Sequence, residues 1–162
     1  MYLEELVTFK QKLLQKVCTS PGIVKYFNAD PESGEALGPK ELSYKKIFPY
    51  GFIPDTQTDQ DVFVCFETSV PNVMPNGVFK RVAVKVFVLC HADWMRLPTG
   101  TRADLMSNEI DKQLDKSNFG FGMELMSVKR FMAAKDWFGT ELDFEATDFN
   151  SLYGMIEQDR NQ

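Results

Sequence analysis

Residues 80–91 read KRVAVKVFVLCH, and this stretch decides the fold. Side chains alternate between the two faces of an extended strand, and one face of this stretch is wholly apolar. That face carries Val82, Val84, Val86, Val88 and Cys90. The opposite face starts with Arg81 and Lys85 and becomes apolar at Phe87 and Leu89. The residues are strong strand formers without Pro or Gly. We predict a central strand that also needs cover on its second face, from a second layer that another subunit could supply.

Length and composition indicate one folded domain. A chain of 162 residues can bury roughly 70% of its unfolded surface without a metal or disulfide. Its 44% hydrophobic and 13% aromatic residues exclude a largely disordered protein. The net charge of -5 argues against a general nucleic-acid binder, which is normally basic. We predict a single domain over residues 1–150 and a polar tail over residues 151–162.

The cysteines and the N-terminus indicate the compartment. Cys18, Cys65 and Cys90 are odd in number and lack metal-ligand spacing, so we expect buried thiols in a reducing environment. The N-terminus lacks the basic and apolar regions of a secretory signal. No apolar run approaches the roughly 18 residues of a membrane span. We expect a soluble protein made in a cytoplasm.

Two helices precede the predicted sheet. Apolar residues recur at helical spacing between Leu3 and Val17, which predicts an amphipathic helix of about four turns. Ser20 can cap a second, short helix that starts at Pro21. Residues 28–42 combine Pro, Gly and charges, which predicts a loop.

Residues 44–55 read YKKIFPYGFIPD and are unusual for a loop. The prolines block helix and central-strand pairing, so an extended, irregular backbone is expected. Exposed aromatic side chains on such a backbone need cover, from the chain's own core or from a neighbouring subunit. The candidate contact residues here are Tyr44, Ile47, Phe48, Tyr50, Phe52 and Ile53.

A second strand is predicted over residues 61–68, followed by a long hairpin loop over residues 70–77. Its apolar residues Val73 and Met74 are either a contact surface or part of an ordinary mobile loop. The candidate contact set is completed by Phe87, Leu89 and Trp94.

The remaining chain predicts one helix and two strands. Thr101 begins the helix in a capping-box-like relation to Asp104, and residues 119–122, FGFG, end it. The strand over residues 123–132 has no clear buried face. In the strand over residues 138–147 one face is apolar, with Phe138, Leu142, Phe144 and Ala146, and the other is acidic, with Glu141, Asp143 and Glu145. We predict an α+β fold in the order α-α-β-β-α-β-β, with an antiparallel sheet of about four strands covered by helices.

The sequence carries no pattern typical of catalysis. His91 is a lone histidine at a strand end, where a structural role is the more common one. No Ser or Cys lies in a nucleophile-elbow pattern, and the FGFG stretch lacks the remaining glycines of a nucleotide fingerprint. We predict a protein that is not an enzyme and has no catalytic residue, cofactor or metal.

Several short stretches support a resemblance. They are residues 47–50, 82–91, 100–105, 119–122 and 148–150. Over residues 3–150 the chain resembles phage proteins encoded in head-to-tail gene clusters, and its order of elements is similar to that of the tail-terminator, or tail-completion, proteins of long-tailed phages. The resemblance implies a structural virion protein at the head-tail junction, assembled in the host cytoplasm.

The resemblance also implies partners. It implies a ring, commonly a hexamer, that terminates the tail tube and joins it to the head connector, with a channel through which DNA passes without specific binding and with no membrane partner. Two alternatives stay open: another neck component such as a head-completion adaptor, stopper or collar protein, and a small host-directed or nucleic-acid-processing protein. Stoichiometry separates them, because only a ring component should assemble or co-purify with virions.

The acidic row Glu141, Asp143 and Glu145 has two interpretations. Its strand is buried on the other side, so the pleat directs the three carboxylates to water. They form either an outer solvated face or, with the resemblance, the lining of the ring's lumen. A lumen lining would repel passing phosphates.

Overall fold

The computed structural model describes residues 4–35, 37–52, 54, 61–73, 79–115 and 123–149. The helices are α1 (Glu4–Thr19), α2 (Pro21–Val24), α3 (Pro39–Leu42), α4 (Ala92–Met95) and α5 (Arg102–Asp115), with a 3₁₀ turn at Lys25–Phe27. The strands are β1 (Ile47–Phe48), β2 (Val62–Val73), β3 (Phe79–His91), β4 (Arg96–Leu97), β5 (Gly100–Thr101), β6 (Glu124–Ala134) and β7 (Trp137–Phe149).

The described residues form a five-stranded sheet in the order β1-β2-β3-β7-β6 and a small β4-β5 ribbon. β1 runs parallel to β2, and the other neighbours in the main sheet are antiparallel. The α+β class and the central position of the strand at residues 80–91 are therefore confirmed. The predicted sheet of about four strands has five, because Ile47 and Phe48 add a short edge strand directly before Pro49. Prolines were expected to keep this segment out of the sheet, but the two residues before Pro49 keep their backbone groups free to pair.

One side of the sheet, called here the helix face, holds the main core. The predicted apolar face of β3 is buried along its whole length beneath α1, α2 and α5. β2 and β7 flank β3 and contribute residues to the same side of the sheet. Val86 of β3 lies between Phe66 of β2 and Leu142 of β7. Continuous burial of β-branched and aromatic side chains across three strands is the main source of stability.

The other side, called here the open face, carries a second and smaller cluster at the carboxyl end of β3. Its buried members are Phe48, Phe63, Cys65, Leu89 and Trp137. The second layer predicted for Phe87 and Leu89 therefore exists, but the same chain supplies it. Residues 47–52 fold back over the sheet, so another subunit is not needed to cover Leu89.

Several local expectations are corrected by the structure. The Ser20 side chain does not cap α2 but donates a hydrogen bond to the Lys16 carbonyl. The predicted loop at residues 28–42 contains α3, and β2 continues past residue 68 to Val73 through an irregularity in its pairing. Phe138, expected to be buried, is partly exposed because it lies opposite Met132 of β6, beyond the cover of α5. The predicted helix end at residues 119–122 lies outside the described residues.

Arg102 is a buried charge that the sequence did not reveal. It begins α5, is only 2% exposed, and donates hydrogen bonds to the backbone carbonyls of Tyr26, Asn28, Ala29 and Trp94. Its guanidinium also lies 4.9 Å from the centre of the Trp94 ring. Burial lowers the pKa of this group, although an arginine stays protonated in proteins. Arg102 thus ties the start of α5 to the turn after α2 and to α4.

We predict that Arg102→Ala destabilises the fold by about 3–5 kcal/mol, because several buried carbonyls lose their donor at once. Arg102→Lys should be less harmful but still destabilising, since an ammonium cannot reproduce the planar fork. Urea unfolding measures both. Arg96→Ala, at an exposed arginine nearby, is the control and should change stability by no more than about 0.5 kcal/mol. Equal effects of Arg102→Ala and Arg96→Ala would contradict the role given to Arg102.

Candidate assembly surface

The aromatic segment at residues 44–54 is divided between buried and exposed side chains. Ile47 is fully buried in the helix-face core, and Phe48 is buried in the open-face cluster. The Phe52 ring stacks on Phe48 with centroids 4.0 Å apart and also contacts Phe63. Ile47 and Phe48 are therefore not free to contact a partner, and Phe52 is only partly so.

Tyr44 and Tyr50 remain at the surface, with 51% and 49% of each residue exposed. Their rings are neighbours, with centroids 6.3 Å apart. Tyr44 has a φ of 59°, a backbone conformation that costs about 1–3 kcal/mol in a residue with a side chain. Its backbone N–H donates to the Ile47 carbonyl, and this tight turn projects the ring and the exposed Lys45 outward. Tyr44, Lys45 and Tyr50 are called here the aromatic knob.

A groove of about 500 Å³ lies beside this segment on the open face. Its floor is the middle of β2 and β3, one wall is the aromatic segment, and the other wall is the end of β6. The lining residues are Gly51, Phe52, Pro54, Cys65, Glu67, Phe87, Leu89, Phe131, Met132 and Ala133. This open-face groove is apolar apart from the carboxylate of Glu67.

The β6 wall depends on one glycine. Gly139 lies directly opposite Phe131, and a Cβ atom at Gly139 would overlap the Phe131 ring. The ring therefore lies flat over the bare backbone of β7, where its edge also meets Phe87 at 6.2 Å between centroids. A glycine covered by a cross-strand aromatic ring is a recognised way of filling a gap in a sheet.

β6 is an edge strand of the main sheet, and its exposed apolar side chains form what is called here the edge patch. These are Met126, Val128, Met132 and, from β7, Phe138. Charged residues on edge strands usually prevent association. Here the two cations of the strand are engaged within the chain, because Lys129 contacts Glu141 and Asp143 while Arg130 bonds to Asp104 of α5 at 3.0 Å. An edge of this kind is suited to a protein partner.

The acidic row lies on the open face, as the pleat predicted, but it is not freely solvated. Exposed side-chain fractions are 15% for Glu141, 19% for Asp143 and 32% for Glu145. Lys85 and Lys129 flank Glu141, and Arg81 lies 3.3 Å from Glu145. The expectation that all three face water was therefore wrong in degree, because cations from β3 and β6 cover them. Their place in a lumen stays a prediction.

The other predicted contact residues lie apart from one another. Phe87 is partly exposed in the open-face groove, and Leu89 is buried beneath it. Trp94 lies on the helix-face side between the cations of Lys46 and Arg102. Val73 ends β2 next to Lys80 of β3, and residues 70–72 of the predicted hairpin loop also belong to β2. Ile53, Met74 and residues 75–77 lie outside the described residues.

Sequence reasoning missed Glu67, Phe131 and the edge patch. The available signal was the strand at residues 123–132, whose apolar residues matched neither a one-sided nor a two-sided burial pattern. Such a pattern indicates an edge strand with exposed apolar side chains. Gly139 was a second signal, because glycine inside a strand marks a close approach of another group.

The side chains best suited to catalysis or metal binding are engaged in structural contacts. His91 Nδ1 accepts the backbone N–H of Asp93 at 3.1 Å and so caps α4, and the ring packs edge-on against Trp137. Within the part of the chain that the structure describes, no group of three or more His, Cys, Asp or Glu residues could hold a metal ion. No helix in that part is both long and apolar enough to cross a membrane.

Comparison with known proteins gives the family. The YomW family model matches residues 20–146, which is more than three quarters of the 162-residue chain. The chain belongs to the YomW family. YomW is a phage-derived, SPbeta-like prophage protein name, so membership indicates a phage origin for this chain. Among curated proteins, no match to the sequence was found.

In this YomW-family chain, we predict that Gly139→Ala destabilises by about 1–3 kcal/mol because the new methyl group displaces the Phe131 ring. The same change in a Phe131→Ala background should cost much less. Urea unfolding of the four variants of this cycle measures the coupling. An equal cost in both backgrounds would mean that Phe131 does not occupy the space above Gly139.

The three thiols of the YomW-family chain should be unreactive in the native state. Burial raises the pKa of Cys18 to about 11 and that of Cys90 to about 12, and it also raises that of Cys65. At pH 8 the Cys18 thiolate fraction is then roughly one in a thousand. We expect an aromatic disulfide reagent to label these thiols rapidly only in denaturant. Rapid labelling at pH 8 without denaturant would contradict this.

The raised thiol pKa values also give a pH dependence of stability. The three buried, neutral thiols contribute fully to the free energy of unfolding below the pKa of an unfolded thiol, about 8.5. This contribution is lost as the pH rises towards the higher pKa values of the folded state.

Proposed function

We propose that this phage protein is a structural virion component that forms a ring at the head-tail junction, where it terminates the tail tube and joins it to the head connector. The proposal makes the chain a ring subunit rather than an enzyme, with no cofactor or metal. It rests on the phage origin indicated by the family and on the distribution of exposed apolar side chains.

That distribution is the observation that carries the proposal. Eight large hydrophobic residues are exposed among the described residues, and seven of them lie in two places. Two belong to the aromatic knob, and five belong to the β6-β7 hairpin, namely Met126, Val128, Phe131, Met132 and Phe138. The eighth is Val7 on α1. Exposed apolar surface that is concentrated in this way is typical of protein interfaces.

The two places lie towards opposite edges of the main sheet. The aromatic knob lies next to β1, the strand at one edge of the sheet. The β6-β7 hairpin includes β6, the strand at the opposite edge. A head-to-tail assembly needs two different surfaces of one subunit, and it closes into a ring when the rotation between subunits closes. A two-fold dimer needs only one self-complementary surface. The arrangement therefore favours a ring over a simple dimer.

The balance of charge fits a channel for DNA. The acidic row is paired with Arg81, Lys85 and Lys129, so the open face combines both signs. The whole chain has a net charge of -5. A conduit must let phosphates pass without holding them, and a surface without a basic excess meets that need.

We predict that the wild-type protein forms one closed oligomer at micromolar concentration, and that Met132→Glu reduces it to monomers because a carboxylate cannot be buried in the edge patch. Native mass spectrometry gives the subunit number, and circular dichroism checks that the variant is folded. Val7→Glu is the matched control, since it places the same charge on an exposed apolar residue of α1 and should assemble normally.

In infected cells, the protein should co-purify with virions and localise by electron microscopy to the head-tail junction. A protein that stays monomeric at all concentrations and is missing from purified particles would contradict the ring proposal.

A further inference from the structure

We propose that the aromatic knob of one copy seats in the open-face groove of the next copy, with Lys45 of the knob paired to Glu67 in the groove. This contact rests on the proposed ring and specifies how its subunits join. In this contact, the open-face groove binds a second copy of the same chain.

The knob has the form of an inserted element. Tyr44 and Tyr50 are two adjacent aromatic rings, each about half exposed at 51% and 49%. The φ of 59° at Tyr44 holds the turn in a conformation that favours glycine, so its geometry is imposed by the surrounding structure. Tyrosine is enriched at interface centres because it buries much apolar area at a low entropic cost and keeps a polar tip.

The groove has matching chemistry. Its volume of about 500 Å³ accommodates aromatic side chains, and its walls include Phe52 and Phe131. Phe131 and Met132 of the far wall are themselves among the exposed apolar residues. One copy's knob in the next copy's groove would therefore cover the exposed rings of the knob and the part of the β6-β7 hairpin that lines the groove.

The charges provide the register. Glu67 is an exposed carboxylate on the groove lining, and it has no ion-pair partner among the described residues. Its direct cross-strand neighbour, Lys85, bonds instead to Glu141. Lys45 in the knob is likewise exposed and unpaired within the described chain, whereas the adjacent Lys46 bonds to Asp61 at 2.6 Å. An unpaired charge thus lies beside each of the two apolar contact elements, positive at the knob and negative in the groove.

Lys45 and Glu67 do not satisfy each other within one chain. Ile47 of β1 pairs with Val64 of β2, and the two strands run parallel. Glu67 lies three residues after Val64, roughly 10 Å along β2, whereas Lys45 precedes Ile47 and so lies in the opposite direction. A close contact between these two residues would therefore report on two different copies.

A charge exchange tests the pairing. Lys45→Glu and Glu67→Lys should each weaken assembly at least tenfold, measured as the concentration for half-assembly, and the double variant should recover most of the wild-type value. Lys40→Glu, at an exposed lysine of α3, is the control for net charge and should leave assembly unchanged. Single variants that assemble like wild type, or a double variant that does not recover, would overturn the proposed contact.

Disulfide trapping gives a second readout. Lys45→Cys and Glu67→Cys on separate chains should cross-link on mixing, whereas Lys40→Cys with Glu67→Cys should not. With both cysteines on one chain, the products should form a ladder that ends at the ring size. A ladder that stops at two supports the knob-groove contact but contradicts the ring. If a ring of wild-type size forms without any cross-link, the knob-groove contact is wrong, and the ring proposal still stands.

Discussion

The fold depends on a strand that is apolar on both faces at one end. β3 buries one face along its whole length, and at Leu89 it must bury the other as well. An uncovered sheet face of this kind would be costly in water. The aromatic segment removes that cost by folding residues 48–52 across the open face, where Phe48 and Phe52 stack on each other and contact Phe63. The course of that segment follows from the composition of β3.

Coverage of the open face stops part-way across the sheet, and this leaves the groove. The aromatic segment reaches β2 and the end of β3, while Phe131 approaches from β6 over Gly139. Between them the floor carries Cys65, Phe87 and Glu67. On the helix face, α5 covers β3 and β7 but leaves Val128 and Met132 of β6 bare. The surfaces proposed for assembly are thus the places that the described helices and strands leave uncovered.

Two kinds of charge accompany this packing. Arg102 is buried and satisfied by backbone carbonyls, so it fixes the start of α5 to the turn after α2 and to α4. The charges of the open face are partly solvated, and carboxylates of β7 pair with cations of β3 and β6. The first kind holds the subunit together. The second keeps the sheet face polar where none of the described elements covers it.

Sequence patterns were sufficient to predict the class of fold, the helices α1 and α5, the central strand and the side of β7 that is buried. These follow from periodicity, because alternation with period two or 3.6 is set by backbone geometry within one segment. The sequence also indicated that the aromatic segment needs cover, but it left open whether the same chain supplies that cover.

Which groups each face contacts depends on the three-dimensional packing of the chain. The burial of Ile47 and Phe48, the charge pairing of the acidic row and the bare edge of β6 all depend on residues distant in sequence. Arg102 shows the reason most clearly, since its acceptors at Tyr26, Asn28 and Ala29 are more than seventy residues away. A local pattern records what a side chain prefers, whereas the fold decides which groups are close enough to satisfy it.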